Sequence, residues 1–229
     1  MLRYACKVMC VGAGLLGSVL LAAPAWGAGL LVHGDSLSAG YGLERGQEWP
    51  ALLAAQLQRS PYKNLAVDNS SISGETTTGG LARLPAVLHQ HQPELLIIAL
   101  GANDALQGQD LAQTEKNLQA MVALGQKSGA KVLILASDIP PNYGMRYQRQ
   151  FQQLFATVAA QNTLPIVRFS IQEFAQQAGF LQKDALHPTA KAQTVIAQRV
   201  WAQLQPVLAL AKSPKNAGAR NLASKRPKR

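Results

Sequence analysis

Ser36 follows Gly34 and Asp35 at the end of the short apolar run Leu30–Val32, and Asp184 stands three residues ahead of His187, itself followed by Pro188. A serine hydroxyl is a weak nucleophile until a base takes its proton, and a third group commonly orients that base. His187 is the candidate base. Pro188 disfavours the helical conformation for the residue before it, which should hold His187 in a loop ahead of a helix. Asp184 is close enough in the chain to reach the imidazole Nδ1, setting its tautomer and stabilising the imidazolium. Acyl transfer also needs donors aimed at a developing oxyanion, each typically contributing about 10² to 10³ in rate. The Ser36 N–H is one candidate. Gly74, without a Cβ, offers a second backbone N–H, and Asn103 offers an uncharged side-chain donor that does not compete for the His187 proton.

Taken singly, these signals have plainer explanations. Gly-Asp-Ser is a common helix cap, a lone glycine is usually a turn residue, and Asn103-Asp104 reads as a capping pair. Asp-x-x-His-Pro also suits a helix start or half a metal site, but no other histidine or acidic cluster stands near it in sequence. Neither a metal nor a cofactor is therefore expected. His89 and His91 fall at a helix end, where a solvated imidazole is the default. His33 is expected to neighbour the site without a chemical role.

The elements that must position these groups can be read from the pattern of apolar residues. Leu30–Val32, Leu65–Val67, Leu95–Leu100, Val132–Ala136 and Leu164–Phe169 read as strands. The third and fourth are apolar without alternation, as parallel strands covered on both faces should be. Helical patterns separate them over Glu48–Gln58, Gly80–His91, Asp110–Lys127 and Arg146–Gln161. A closing helix runs from Pro188, a residue suited to a first turn, to about Gln205. The alternation predicts an α/β fold: one doubly wound, five-stranded, mostly parallel sheet with helices on both faces. Sites in such sheets form at the carboxyl ends of the strands. The segments Gly34–Ser36, Asn69–Thr76, Gly101–Asp104 and Asp138–Gly144 each follow a strand, and Asp184–Pro188 precedes the last helix, so all five should gather at one edge.

The stretches "GDSLSAGY" (34–41), "WPALL" (49–53), "SISGETT" (71–77), "GAND" (101–104), "NYG" (142–144) and "LHP" (186–188) together resemble the SGNH or GDSL-type hydrolases, in the order that family shows them. The likeness covers about Leu30 to Leu208 and is greatest to the family's periplasmic thioesterase and lysophospholipase branch. It implies a flavodoxin-like fold and a serine esterase or thioesterase acting on small acyl esters such as acyl-CoA or lysophospholipid. It assigns Ser36, Asp184 and His187 as the triad, with Ser36, Gly74 and Asn103 as the oxyanion hole. Ala102 and Ala105 depart from the glycines of the family pattern, and Asp138 from a basic residue. The pattern G-x-S-x-G of the larger lipase fold is absent at Ser36, where Ser38 holds the last position. A short-chain carbohydrate or aryl esterase is the alternative activity; a binding protein with an inert site is the alternative of another class.

The two ends of the 229-residue chain read differently from its body. Arg3 and Lys7 precede an apolar run from Val8 to Ala23, and small residues follow through Gly27, the layout of a secretory signal peptide over 1–27. The run is shorter than the roughly 20 residues a membrane span requires. Within it, Gly12–Gly17 matches G-x-G-x-x-G, but no strand precedes it and no dinucleotide site is expected. Cys6 and Cys10 both lie there, so the mature chain is expected to have neither a thiol nor a disulfide. The formal charge of +10 is equally uneven. Two of 22 basic residues are Arg3 and Lys7 and seven lie after Ala211, leaving 13 against all 12 acids in the body. A near-neutral body gives no support for nucleic-acid binding. The basic tail 212–229 is expected to be disordered, with weak contact to anionic lipid as its functional reading. The expected enzyme is an exported, periplasmic monomer.

Overall fold

The computed structural model describes residues 29–212; the expected signal segment lies outside them, as does the basic tail apart from Lys212. The apolar runs form five strands: β1 (Gly29–Gly34), β2 (Ala66–Asn69), β3 (Leu95–Ala99), β4 (Lys131–Ser137) and β5 (Ile166–Phe169). All four pairings are parallel, in the order β2-β1-β3-β4-β5. Every residue of β1 and β3 is buried, which explains why neither shows the polar alternation of a half-exposed strand.

Successive residues of the central strands serve opposite layers. Leu30, Val32, Leu95 and Ile97 face a core shared with α2 (Trp49–Gln58) and α8 (Ala190–Lys212). Leu31, Leu96 and Ile98 face a second core, shared with α3 (Thr77–His91), α5 (Leu111–Lys127) and α6 (Met145–Asn162). Short helices α1 (Ser36–Ala39), α4 (Ala102–Leu106) and α7 (Ile171–Ala175) follow β1, β3 and β5. Because β1 lies between β2 and β3, the chain reverses its direction of winding there, and the crevice of such a fold opens beyond the carboxyl ends of those strands.

Several boundaries differ from the sequence reading. Helix α3 begins three residues before Gly80, since Thr76 caps it and the Thr77 N–H donates to Asp104 Oδ2 at 2.8 Å. Pro188 does not open the last helix. It is held extended by a bridge to Leu181 and by Gln182 Nε2, which donates to its carbonyl at 3.1 Å, so α8 starts at Ala190. At its other end α8 continues beyond Gln205 and through Pro206. Leu208 is buried in the core there, and Lys131 Nζ, at the start of β4, donates to the Val207 carbonyl at 3.3 Å. The first residue of β1 and the last turns of α8 therefore share the amino edge of the sheet.

Candidate active site

The chain leaves β1 through Gly34, and the need for glycine there is one of space. A Cβ would sit 2.9 Å from Ser38 Oγ and 3.0 Å from Ala99, so the strand end can lie against β3 only without one. Asp35 then caps α1, accepting the Leu37 N–H at 3.0 Å. Burial pushes its carboxyl up to about 7, so the group beneath Ser36 holds its proton far more tightly than an exposed acid. Ser36 is the first residue of α1, and its N–H has no preceding helical carbonyl to bond.

Across the cavity from α1, the loop after Phe180 folds back on itself. His187 Nε2 stands 2.9 Å from Ser36 Oγ, and its Nδ1 stands 2.7 Å from Asp184 Oδ2. An ionised carboxylate can only accept, so the imidazole proton belongs on Nδ1, and Nε2 is left to accept from the serine hydroxyl. Asp184 Oδ1 accepts the N–H groups of Leu186 and His187, each at 3.0 Å. Desolvation pushes the Asp184 carboxyl up, but these two N–H groups and the imidazole outweigh it and hold the group below the usual carboxylate range.

Asn103 lies in α4, a helix not anticipated from the sequence. Its Nδ2 donates to the Glu75 carbonyl at 2.9 Å, which uses one of its two N–H bonds. Glu75 is itself ion-paired to Arg83 at 2.5 Å. Gly74, with φ +81°, precedes it and is open to solvent. Ser36, Gly74, Asn103 and His187 line one cavity of about 170 Å³, whose apolar wall includes Leu106, Ile139, Pro140 and Ile171. Asp184 sits behind His187, away from the lining. A larger hollow of about 680 Å³ opens at the amino edge between Pro85, Leu88, Leu124 and Lys131, far along the strands from all of these groups.

The remaining histidines stand outside the cavity lining. His33 is buried, with Nε2 3.0 Å from the Gly80 carbonyl and Nδ1 3.0 Å from Ser70 Oγ; burial lowers its pKa, and it does not line the cavity. His91 meets Asp68 at 3.1 Å, a partner the sequence reading did not provide. Asp138 lines the cavity and accepts from the Ser170 hydroxyl and from the Ile171 N–H at 2.6 Å, so it secures the first turn of α7. Among the described residues, no three His, Cys, Asp or Glu side chains converge where a metal ion could sit. Sequence reasoning missed the apolar wall and Tyr41, whose ring lies against His187. Tyr41 could have been found as the last residue of the first motif.

The model of the GDSL-like lipase/acylhydrolase family matches residues 32–195, a span containing every one of these groups. The chain belongs to that family. It is 44% identical to esterase TesA of Pseudomonas aeruginosa over 195 residues, which is 85% of this chain and 96% of the relative. It is 39% identical to thioesterase 1/protease 1/lysophospholipase L1 of Escherichia coli, over 78% of this chain and 84% of the relative. Among solved structures, the psychrotrophic esterase EstA from Pseudoalteromonas sp., inhibited by monoethylphosphonate, matches with a TM-score of 0.73 and 35% identity over 80% of this chain and 99% of that one. The chain is thus a GDSL/SGNH-type ester and thioester hydrolase. No helix among the described residues is long and apolar enough to cross a membrane.

Proposed function

We propose that this GDSL-family hydrolase cleaves fatty acyl esters and thioesters through an acyl-serine intermediate on Ser36. The observation that carries this reading is the continuous line from Ser36 Oγ to His187 Nε2 at 2.9 Å and from His187 Nδ1 to Asp184 at 2.7 Å. His187 takes the hydroxyl proton as Ser36 Oγ bonds to the acyl carbonyl carbon. The oxyanion so formed accepts from the N–H groups of Ser36 and Gly74 and from the second N–H of Asn103. Collapse breaks the bond to the leaving oxygen or sulfur, which receives the proton from the imidazolium. Water then gives a proton to His187 as it attacks the acyl-serine, and the acid leaves as the imidazolium returns that proton to Ser36 Oγ.

Serine-directed phosphonates test this directly, and the phosphonate-inhibited esterase among the solved relatives makes them the natural probe. One label per chain and loss of both labelling and hydrolysis in Ser36→Ala are expected. Stoichiometric labelling of Ser36→Ala would overturn the assignment.

One observation favours a second substrate range. The cavity of about 170 Å³ is close to an apolar cavity of about 150 Å³ that holds one benzene, which suits short acyl or aryl groups as well as the first part of a longer chain. A panel of acyl esters graded by length separates the two ranges. Export rests on the residues 1–27 pattern, and weak contact with anionic lipid on the seven basic residues after Ala211. Loss of secretion on deleting 1–27, and weaker vesicle binding in low salt on deleting 212–229, are the expected outcomes.

A further inference from the structure

The loop carrying Asp184 and His187 is joined to the turn after α1 by one side chain. Gln182 Nε2 donates to the Tyr41 carbonyl at 2.8 Å and to the Pro188 carbonyl at 3.1 Å, while its backbone N–H donates to the His187 carbonyl at 2.8 Å. Gly42, next to Tyr41, has φ +70°, and a Cβ there would sit 2.2 Å from Gln182 Oε1, so the side chain occupies the space that a larger residue would need. The Tyr41 ring lies over the His187 imidazole with centroids 4.4 Å apart and planes inclined by 36°. Tyr41 is nevertheless 52% exposed, one of only three large hydrophobic residues that are exposed among those described. Its ring is thus kept on the imidazole at the expense of its own burial.

We propose that Tyr41 and Gln182 are positioning residues that clamp His187 between Asp184 and Ser36. The proposal rests on the assignment of His187 as the base. Two contacts orient the imidazole in its plane, Nδ1 to Asp184 and Nε2 to Ser36, and neither stops the ring from tilting about the line that joins them. The Tyr41 ring blocks that tilt from one face. Gln182 sets the distance between the turn that bears Tyr41 and the loop that bears His187. A tilt breaks the alignment of Nε2 with the serine hydroxyl without moving Asp184 or the oxyanion donors. The π face also lies where positive charge appears when His187 is protonated, which favours the transition state over the ground state.

The test compares Tyr41→Phe, Tyr41→Ala, Gln182→Ala and Gln182→Glu in the full chain, by steady-state hydrolysis and by the rate of labelling with a small phosphonate. Tyr41→Phe keeps the ring and should keep wild-type kcat and labelling rate. Tyr41→Ala should lose about tenfold in both, with KM little changed. Glutamate has the shape of Gln182 but cannot donate to two carbonyls, so Gln182→Glu should lose as much as Gln182→Ala. The downfield proton resonance of the imidazole Nδ1–H bonded to Asp184 should persist in Tyr41→Phe and broaden in Tyr41→Ala. Tyr41 also lines the cavity; if Tyr41→Ala raises KM and leaves kcat and labelling unchanged, it acts only as a wall and the clamp is refuted. The clamp is also refuted if Gln182→Glu matches the wild type. Labelling that survives Ser36→Ala would instead refute the triad on which the clamp rests, so the two failures are distinguishable.

Discussion

The two halves of the candidate site are supported in opposite ways. On the oxyanion side, Asp104 is 1% exposed and accepts from the Thr77 N–H and from the hydroxyls of Thr77 and Thr114. Asn117 Nδ2 donates to the hydroxyls of Thr77 and Thr78. This buried network ties α4 to α3 and α5, so the backbone beneath Asn103 is held from inside the fold. On the other side, the Asp184 side chain is 40% exposed, and its bonds reach only two or three residues along its own loop. The difference follows from the work each half does. In the proposed mechanism, donors to an oxyanion stabilise it best when they do not reorganise, whereas the base is aligned by contacts at the surface, within its own loop and to the turn after α1.

This contrast predicts that variants on the base side lose rate without losing the fold, and that variants of the buried network lose the fold first. The largest effect is expected for Asp184→Asn, where kcat should fall by about 10³ to 10⁴ as the imidazole tautomer is lost. Its melting temperature should stay near the wild-type value because the side chain is exposed; unfolding would break the comparison. Asn103→Ala should lower kcat by about 10² to 10³ with little change in KM, because that donor strengthens only as charge develops. A well-folded Asn103→Ala enzyme with wild-type kcat would leave the oxyanion to Ser36 and Gly74.

Asp104→Ala strands the buried N–H and hydroxyl of Thr77, a cost of about 3 kcal/mol. For a domain of this size that corresponds to a melting point lower by roughly 6 to 12 °C. Residual enzyme at low temperature should still take up phosphonate on Ser36. If Asp104→Ala melted like the wild type, the buried network would not be what supports the oxyanion side.

A pH-dependent effect concerns Asp35. Its folded-state carboxyl is raised to about 7, above the ~3.9 of an unfolded chain. The folded state therefore binds this proton more tightly, and the residue's contribution to stability is greatest at low pH and declines as pH rises from about 4 to about 7. Asparagine can still accept the Leu37 N–H but does not ionise. The melting point of Asp35→Asn relative to wild type should rise across that window and level off above it, as thermal melts in a pH series would show. A constant difference would mean that Asp35 ionises as freely folded as unfolded.

What was legible in the sequence is what local chemistry decides. Strands β3 and β4 were readable because both faces are covered, so no polar residue interrupts them. Gly34 to Ser36 and Asp184 to His187 were readable because each unit closes within three residues. The short helices α4 and α7 were not, since five residues do not hold a helix by propensity and both depend on contacts from elsewhere. Asp104 meets Thr77 across 27 positions and Gln182 meets the Tyr41 carbonyl across 141. No spacing rule joins such pairs. Gly34 shows the same limit in one residue: Gly-Asp-Ser reads as a helix cap, while the structural role of Gly34 is the close approach of β1 to β3.

The shared edge at which β1 begins and α8 ends gives the domain a front and a back. The cavity opens at the carboxyl ends of the strands, and both ends of the described chain leave from the opposite side. A tether joined before Gly29 or after Lys212 therefore turns the mouth outward, toward substrate in the medium. Attachment to a bead through either end should preserve turnover, whereas coupling through Lys183, beside Asp184, would press the mouth against the support.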